Sequence, residues 1–242
     1  MSFKRIGNTV IKVNVKSSHE SLFEIKNEAS PFLMRSICAA NANANATATN
    51  SIEVKARDVL TMRDYLKRNR HATEMYVALR LVHDLGKQMQ ALISAGRSIA
   101  CIGVDDVVVI THRDSDAFRH DSIDDPDSTL GDSRMDPQFL FLNDTLIFEL
   151  EDDGTLIVDR ALKHGFMSPE LHALNPTQPH AIQVHFKTIY YSVAQLVIYF
   201  LLNVDRIPED TAYLNPIKGT KLYWFLLRCL NPVPAERKYI YI

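Results

Sequence analysis

The sequence has few of the residues that announce a chemistry, and each scarcity removes a class of protein. Its three cysteines, Cys38, Cys101 and Cys229, are scattered, odd in number and without CxxC spacing. That pattern argues against a disulfide framework or a structural zinc site. Nine histidines show no HExxH or other paired ligand spacing, so no metal-binding helix is legible. Among eight glycines the only early one is Gly7, which leaves no glycine-rich loop to cover phosphates. Neither sign of charge dominates: 27 basic and 29 acidic residues give a net charge of −2. A nucleic-acid or anionic-membrane footprint of the usual kind is therefore missing. The most apolar run, Tyr190 to Leu202, is too short for a bilayer and carries Ser192 and Gln195. The opening MSFKRIGNTV alternates charged and apolar residues, unlike a signal peptide. These absences predict a cytoplasmic chain with neither nucleic acid nor membrane as partner.

What is present suffices for a core. Hydrophobic residues make up 46% of 242 positions, enough for one large domain or a two-lobed one. Residues 8–26 alternate like short strands, and the low-complexity tract AANANANATATN at 39–50 reads as a linker. Thr61 suits the cap of a helix holding Met62, Tyr65 and Leu66. A longer amphipathic helix is predicted from about Ala72 to Ser94. Its apolar positions Met75, Leu79, Val82, Leu85, Met89 and Leu92 share one face, and Gly96 stops it. Val104 to Ile110 reads as a β-branched strand, and a polar insertion fills 111–137. FLFL at 139–142, TLIFEL at 145–150 and TLIVD at 155–159 read as strands, the last two joined by EDDG. Beyond Ser168-Pro169-Glu170 the chain reads as mainly helical, centred on Val193–Leu202 and Leu222–Leu230. The aromatic cluster Tyr223-Trp224-Phe225 and the terminal Tyr239-Ile240-Tyr241-Ile242 are expected in the core.

That order of elements, and several local motifs, resemble the eukaryotic protein-kinase family over about residues 52–242. FMSPEL at 166–171 resembles the segment that closes the activation loop, with Ser168 in place of its alanine. Tyr190-Tyr191-Ser192-Val193-Ala194 resembles the start of the buried central helix, and LLRCLNPVPAER at 226–237 the end-of-domain pattern. TMRDYLK at 61–67 resembles the segment after the interlobe hinge, and HDLGKQMQAL at 83–92 the helix leading into the catalytic loop. The resemblance implies an α+β, protein-kinase-like fold. Residues 1–57 would form a reduced, β-rich N-terminal lobe and residues 58–242 a mainly helical C-terminal lobe. It also implies a structural ion pair between Glu170 and Arg237.

The same resemblance exposes what is missing. The family needs an Asp to orient the attacking hydroxyl, an Asn and a second Asp to hold magnesium, and a lysine on the phosphates. Set against the catalytic-loop pattern, Cys101 falls on the orienting Asp and Asp106 on the Asn. Asp159 falls where the second Asp belongs, followed by Arg160-Ala161, and Lys26 is the one stand-in for the lysine. Ile189 replaces the Asp that begins the central helix. His112-Arg113-Asp114 spells the catalytic triplet, but after a strand instead of before one. The reading that follows is a pseudokinase, a binding or structural module with protein partners and no cofactor. In style it is similar to kinase-like proteins of large DNA viruses, which would place it in the host cytoplasm or the virion. The alternative is an atypical Ser/Thr kinase using Mg-ATP, with Asp106 and Asp159 as metal ligands and Asp114 as base. An unrelated α+β protein would show neither a Glu170–Arg237 contact nor a wholly buried helix over 191–202. The acidic residues Asp121, Asp124, Asp125 and Asp127 read as a solvated loop.

Overall fold

A computed structural model of the chain describes residues 2–5, 10–15, 37–39, 50–56, 58–69, 75–111, 137–160, 162, 166–172, 181–203 and 211–240. Lys26, the tract 40–49, the triplet ending in Asp114 and the acidic insertion lie outside these residues. The observed architecture is α+β, with small antiparallel sheets set among helices.

The first sheet comprises β1 (Ser2–Arg5), β2 (Val10–Val15), β3 (Ile37–Ala39) and β4 (Asn50–Lys55), in the order β1-β2-β4-β3. The alternation in residues 8–26 is expressed in β2, which pairs along its whole length with β4, Val10 facing Lys55 and Val15 facing Asn50.

The second sheet carries the centre of the molecule. Strand β5 (Asp58–Thr61) pairs with β7 (Val107–Thr111), and β7 with β8 (Gln138–Phe141), all antiparallel. Val107 to Ile110 are all buried, as expected for a central β-branched strand covered on both faces. Two further pairs complete the set: β6 (Arg97–Ile99) with β9 (Ile147–Glu149), and β10 (Thr155–Val158) with β11 (Ile182–His185).

Helix α1 (Met62–Arg68) starts where its cap predicts: the Thr61 hydroxyl oxygen accepts from the Asp64 backbone N–H at 3.1 Å. Helix α2 (Met75–Ser94) buries Val82, Leu85, Met89 and Leu92 as the periodicity requires, together with Val77, Ala78 and Leu81. Met75 and Leu79 are only half-buried, so the buried stripe is rotated toward Leu81. Gly96 closes the helix at φ +70°, a left-handed conformation that suits glycine. A short helix α3 (Pro169–His172) precedes β11. Helix α4 (Thr188–Leu202) is the hub: none of its residues is exposed. At about 1.5–3 kcal/mol for each fully buried large aliphatic, Val193, Leu196, Val197 and Ile198 make it the principal organiser of the core. Helix α5 (Lys221–Cys229) is capped by Thr220 and buries Leu222, Phe225, Leu226 and Cys229. Tyr239 closes the core against Tyr190 and Phe225, and its hydroxyl donates to the Val82 carbonyl.

Three local expectations give way. Residues Val104–Asp106 form a 3-10 turn before the strand, because the Asp106 carboxylate takes the Gly103 N–H and curls the chain. Thr145 and Leu146 belong to a second such turn, Asp144–Leu146, and the strand begins at Ile147. Finally, β11 interrupts the helical region because β10 otherwise has an open edge there.

Candidate functional site

The loop linking β6 to β7 carries the residues that the sequence aligns with catalysis. Cys101 is fully buried at its centre. Burial first, and the Asp106 charge second, push its thiol up to about 12. It is therefore a protonated thiol at neutral pH and supplies neither a base nor a negative charge.

Asp106 is also buried, at 5% exposure, and is held on both oxygens. One accepts the Gly103 N–H at 2.7 Å, and the other accepts from Asn143 Nδ2 at 2.6 Å. The Asp106 carbonyl in turn accepts the Leu142 N–H at 2.9 Å, so the loop and the end of β8 are stitched by main chain and side chain together. Asn143 spends its own oxygen on Thr145, accepting from the backbone N–H at 3.2 Å and the hydroxyl at 2.7 Å.

The strand that delivers Asn143 is itself fixed by α2. On the edge of β8, Phe139 N–H donates to the Asp84 carboxylate at 3.0 Å and Phe141 N–H to Gln88 Oε1 at 2.9 Å. Gln88 Nε2 returns a bond to the Phe139 carbonyl at 2.9 Å. Two side chains four residues apart on one helix face thus replace the missing neighbouring strand. Arg80 supports Asp84 at 3.1 Å.

Asp159 is not brought to this loop. It is exposed beyond the end of β10, 3.8 Å from Arg160, whose guanidinium lies over the Phe148 ring. The resemblance makes Asp106 and Asp159 the two metal ligands of the alternative reading; the side-chain hydrogen bond that forms at Asp106 is with Asn143. The reason is topological: β8 is the strand hydrogen-bonded to β7, whereas β10 pairs with β11. Sequence reading missed Asn143 because it carried no charge. The usable signal was its place directly after FLFL, the apolar strand nearest in sequence to VVVI. With Asn143 as reference, residues 144–167 separate this site from Ser168.

A second cluster surrounds Glu170. Arg237, fully buried, donates from Nη1 and Nη2 to the two carboxylate oxygens at 2.5 and 2.9 Å. Its Nε donates to the Asn231 carbonyl at 2.8 Å, and its plane lies over the Tyr191 ring at 5.1 Å. Thr188 donates to Glu170 at 2.6 Å. A hydroxyl has one proton, so Ser168, 2.5 Å from Thr188, is the donor in that contact. Burial raises the Glu170 carboxyl, but the hydrogen bonds from Arg237 and Thr188 outweigh it and hold the group below its ordinary value.

A magnesium ion fits poorly at Asp106 as these groups stand. Hard oxygen donors are required, yet both carboxylate oxygens already accept N–H bonds and Asn143 turns its N–H, not its oxygen, toward Asp106. Among the described residues, no cluster of three or more metal-ligating side chains occurs, and no helix is long and apolar enough to cross a membrane.

No protein-family model matches the chain, and no curated protein matches it. Among solved structures it is similar to the kinase domain of Mycobacterium tuberculosis PknI, determined as a double mutant. The TM-score is 0.48 at 15% identity, over 78% of this chain and 60% of that one. The chain thus spans about three-fifths of that domain's length.

Proposed function

We infer that the chain is a kinase-like binding or structural module that has lost phosphoryl transfer by the family's route. The observation that carries this reading is the fully buried, uncharged Cys101 where the resemblance requires a carboxylate. Positioning and charge neutralisation are nearly all of the catalysis in phosphoryl transfer, so a neutral side chain there is costly. Support for the kinase-like part comes from the bidentate Glu170–Arg237 pair and from α4, which has no exposed residue. Ile189, buried at the start of that helix, fits the same reading. It has no polar group with which to tether a catalytic loop. The division into a strand-rich region over 1–57 and a helical region over 58–242 belongs to this proposal, as do the cytoplasmic or virion setting, the viral affinity and the protein partner.

A second reading, an atypical Ser/Thr kinase using Mg-ATP with Asp114 as base, is favoured by one observation. Asp106 and Asn143 are one carboxylate and one amide set against each other. Those are the two residue types the family uses at its metal, here in exchanged places. Asp159, exposed and paired with Arg160, has no part in that arrangement.

The discriminating experiment is a thermal-shift titration with ATP, with and without magnesium. Ligand that binds only the folded state stabilises it by RT ln(1 + [L]/Kd), about 2.7 kcal/mol at a hundredfold excess over Kd. The module reading predicts no shift at millimolar nucleotide. A magnesium-dependent rise in melting temperature overturns it and makes phosphotransfer by an Asp114→Asn variant the next assay.

A further inference from the structure

The exposed face of α5 carries an aromatic ring flanked by cations. Trp224, the only tryptophan in the chain, is 55% exposed, the most of any large hydrophobic residue described. The sequence reading put it in the core with its neighbours. The helix instead turns Phe225 inward, half-buries Tyr223 and leaves Trp224 outside, its ring edge-on to Tyr223 at 5.2 Å. Lys221 and Arg228, three residues before and four after, lie on the same helix face and are both exposed. Lys218 stands exposed in the turn that leads into the helix, and Lys238 is tied alongside its end by a backbone bond to the Arg228 carbonyl. Among the described residues, none of these four cations makes an ion pair. Among the described residues, Glu236, just after the helix, accepts from Asn231 Nδ2 at 3.1 Å.

This concentration of positive charge occurs in a chain whose net charge is −2. We propose that the Lys221–Trp224–Arg228 face of α5 is a docking surface for an acidic, extended segment of a partner protein. Charge complementarity selects the partner's sign. Tryptophan and arginine are among the side chains enriched where binding energy concentrates, and complementary exposed charges steer an acidic partner to the face. The aromatic plane supplies the apolar anchor that fixes position along the acidic segment. This deepens the reading of the chain as a binding module by naming the partner's chemistry, and it rests on that reading only for the idea that binding is the purpose.

Because Trp224 is the sole tryptophan, its emission reports on this face alone. The full chain is titrated with octaglutamate peptide while emission wavelength and acrylamide quenching are followed. A blue shift and protection from quenching are expected, weakening as salt rises, since screening shortens to roughly 3 Å at 1 M ionic strength. The Lys221→Glu/Arg228→Glu double variant should bind about tenfold or more weakly with an unchanged melting temperature, both side chains being exposed. No spectral change, equal binding by the double variant, or a response to phosphatidylserine vesicles or an oligothymidine but not to the peptide would each overturn the proposal. Its failure stays separate from that of the kinase-like reading, which the nucleotide titration tests.

Discussion

The Glu170 cluster and the Asp106 loop are built from the same material, a largely buried carboxylate held by several donors, yet they differ in what they retain. At Glu170 the partner is a fully buried guanidinium that matches both oxygens, and a Ser–Thr relay satisfies what remains. At Asp106 the partners are neutral, a backbone N–H and an amide, and the neighbouring Cys101 contributes no charge. The first cluster holds segments distant in sequence and is complete as architecture. The second is equally well satisfied as structure: both Asp106 oxygens accept a hydrogen bond, and Cys101 beside them is uncharged. Packing and catalysis therefore place different demands on a carboxylate. Packing requires that its lone pairs be filled, whereas catalysis requires that some be left open.

The most damaging way to break this contrast is Arg237→Ala. It strands a largely buried carboxylate and should cost about 3–5 kcal/mol of unfolding free energy, read by denaturant melts. A loss below about 1 kcal/mol, the value of an exposed pair, would show that the clamp is ornamental. The exchange at the loop comes next. Asp106→Asn and Asn143→Asp should each cost about 1–3 kcal/mol, because the first sets a donor against a donor and the second a carboxylate against a carboxylate. The double exchange restores a donor–acceptor pair, so the singles should not add, with a coupling of at least about 1 kcal/mol in a double-mutant cycle. Additivity would mean the two residues do not interact.

A subtler effect is the pH dependence. The folded Glu170 carboxyl titrates below its unfolded value of 4.5. Its contribution is therefore fully present above pH 4.5 and is lost as pH falls through the lower folded value. Acid melts of Glu170→Gln should lack this component, and an unchanged acid limb would refute the assignment. Smallest of all is Arg63→Ala. Arg63 holds Asp105, next to Asp106, through two bonds of 2.7 and 2.8 Å, but both side chains are at least half exposed. The expected loss is less than about 1 kcal/mol. A larger one would mean that α1 positions the loop.

Helices were the most legible part of the molecule. The three- and four-residue spacing in α2, the Thr61 cap and the Gly96 stop are local signals, and the fold obeys them with a small rotation of the buried stripe. The largely buried α4, in which nine of fifteen residues are buried and six are partly so, could be read from an apolar run too short for a membrane, although it is not buried on all sides. Glu170 and Arg237 were legible because a proline turn and an end-of-domain pattern flag them. Asn143 was not, since an uncharged residue after a strand has meaning only once the partner of that strand is known. The Asp84 and Gln88 contacts to β8 were hidden for the same reason. So was the outward turn of Trp224, which depends on which side of α5 meets the core.

By itself, then, the sequence determined where helices begin and end, which of their faces are apolar, and that the residue before Ile102 is an uncharged cysteine. These follow from backbone hydrogen bonding, side-chain polarity and proton affinity, all carried by a residue and its near neighbours. Only the tertiary structure decided that Asp106 meets Asn143, and that burial pushes the Cys101 thiol further up from its ordinary value. Strand pairing is a choice among edges distant in sequence, and desolvation is a property of everything packed around a group, so neither is written at any one position.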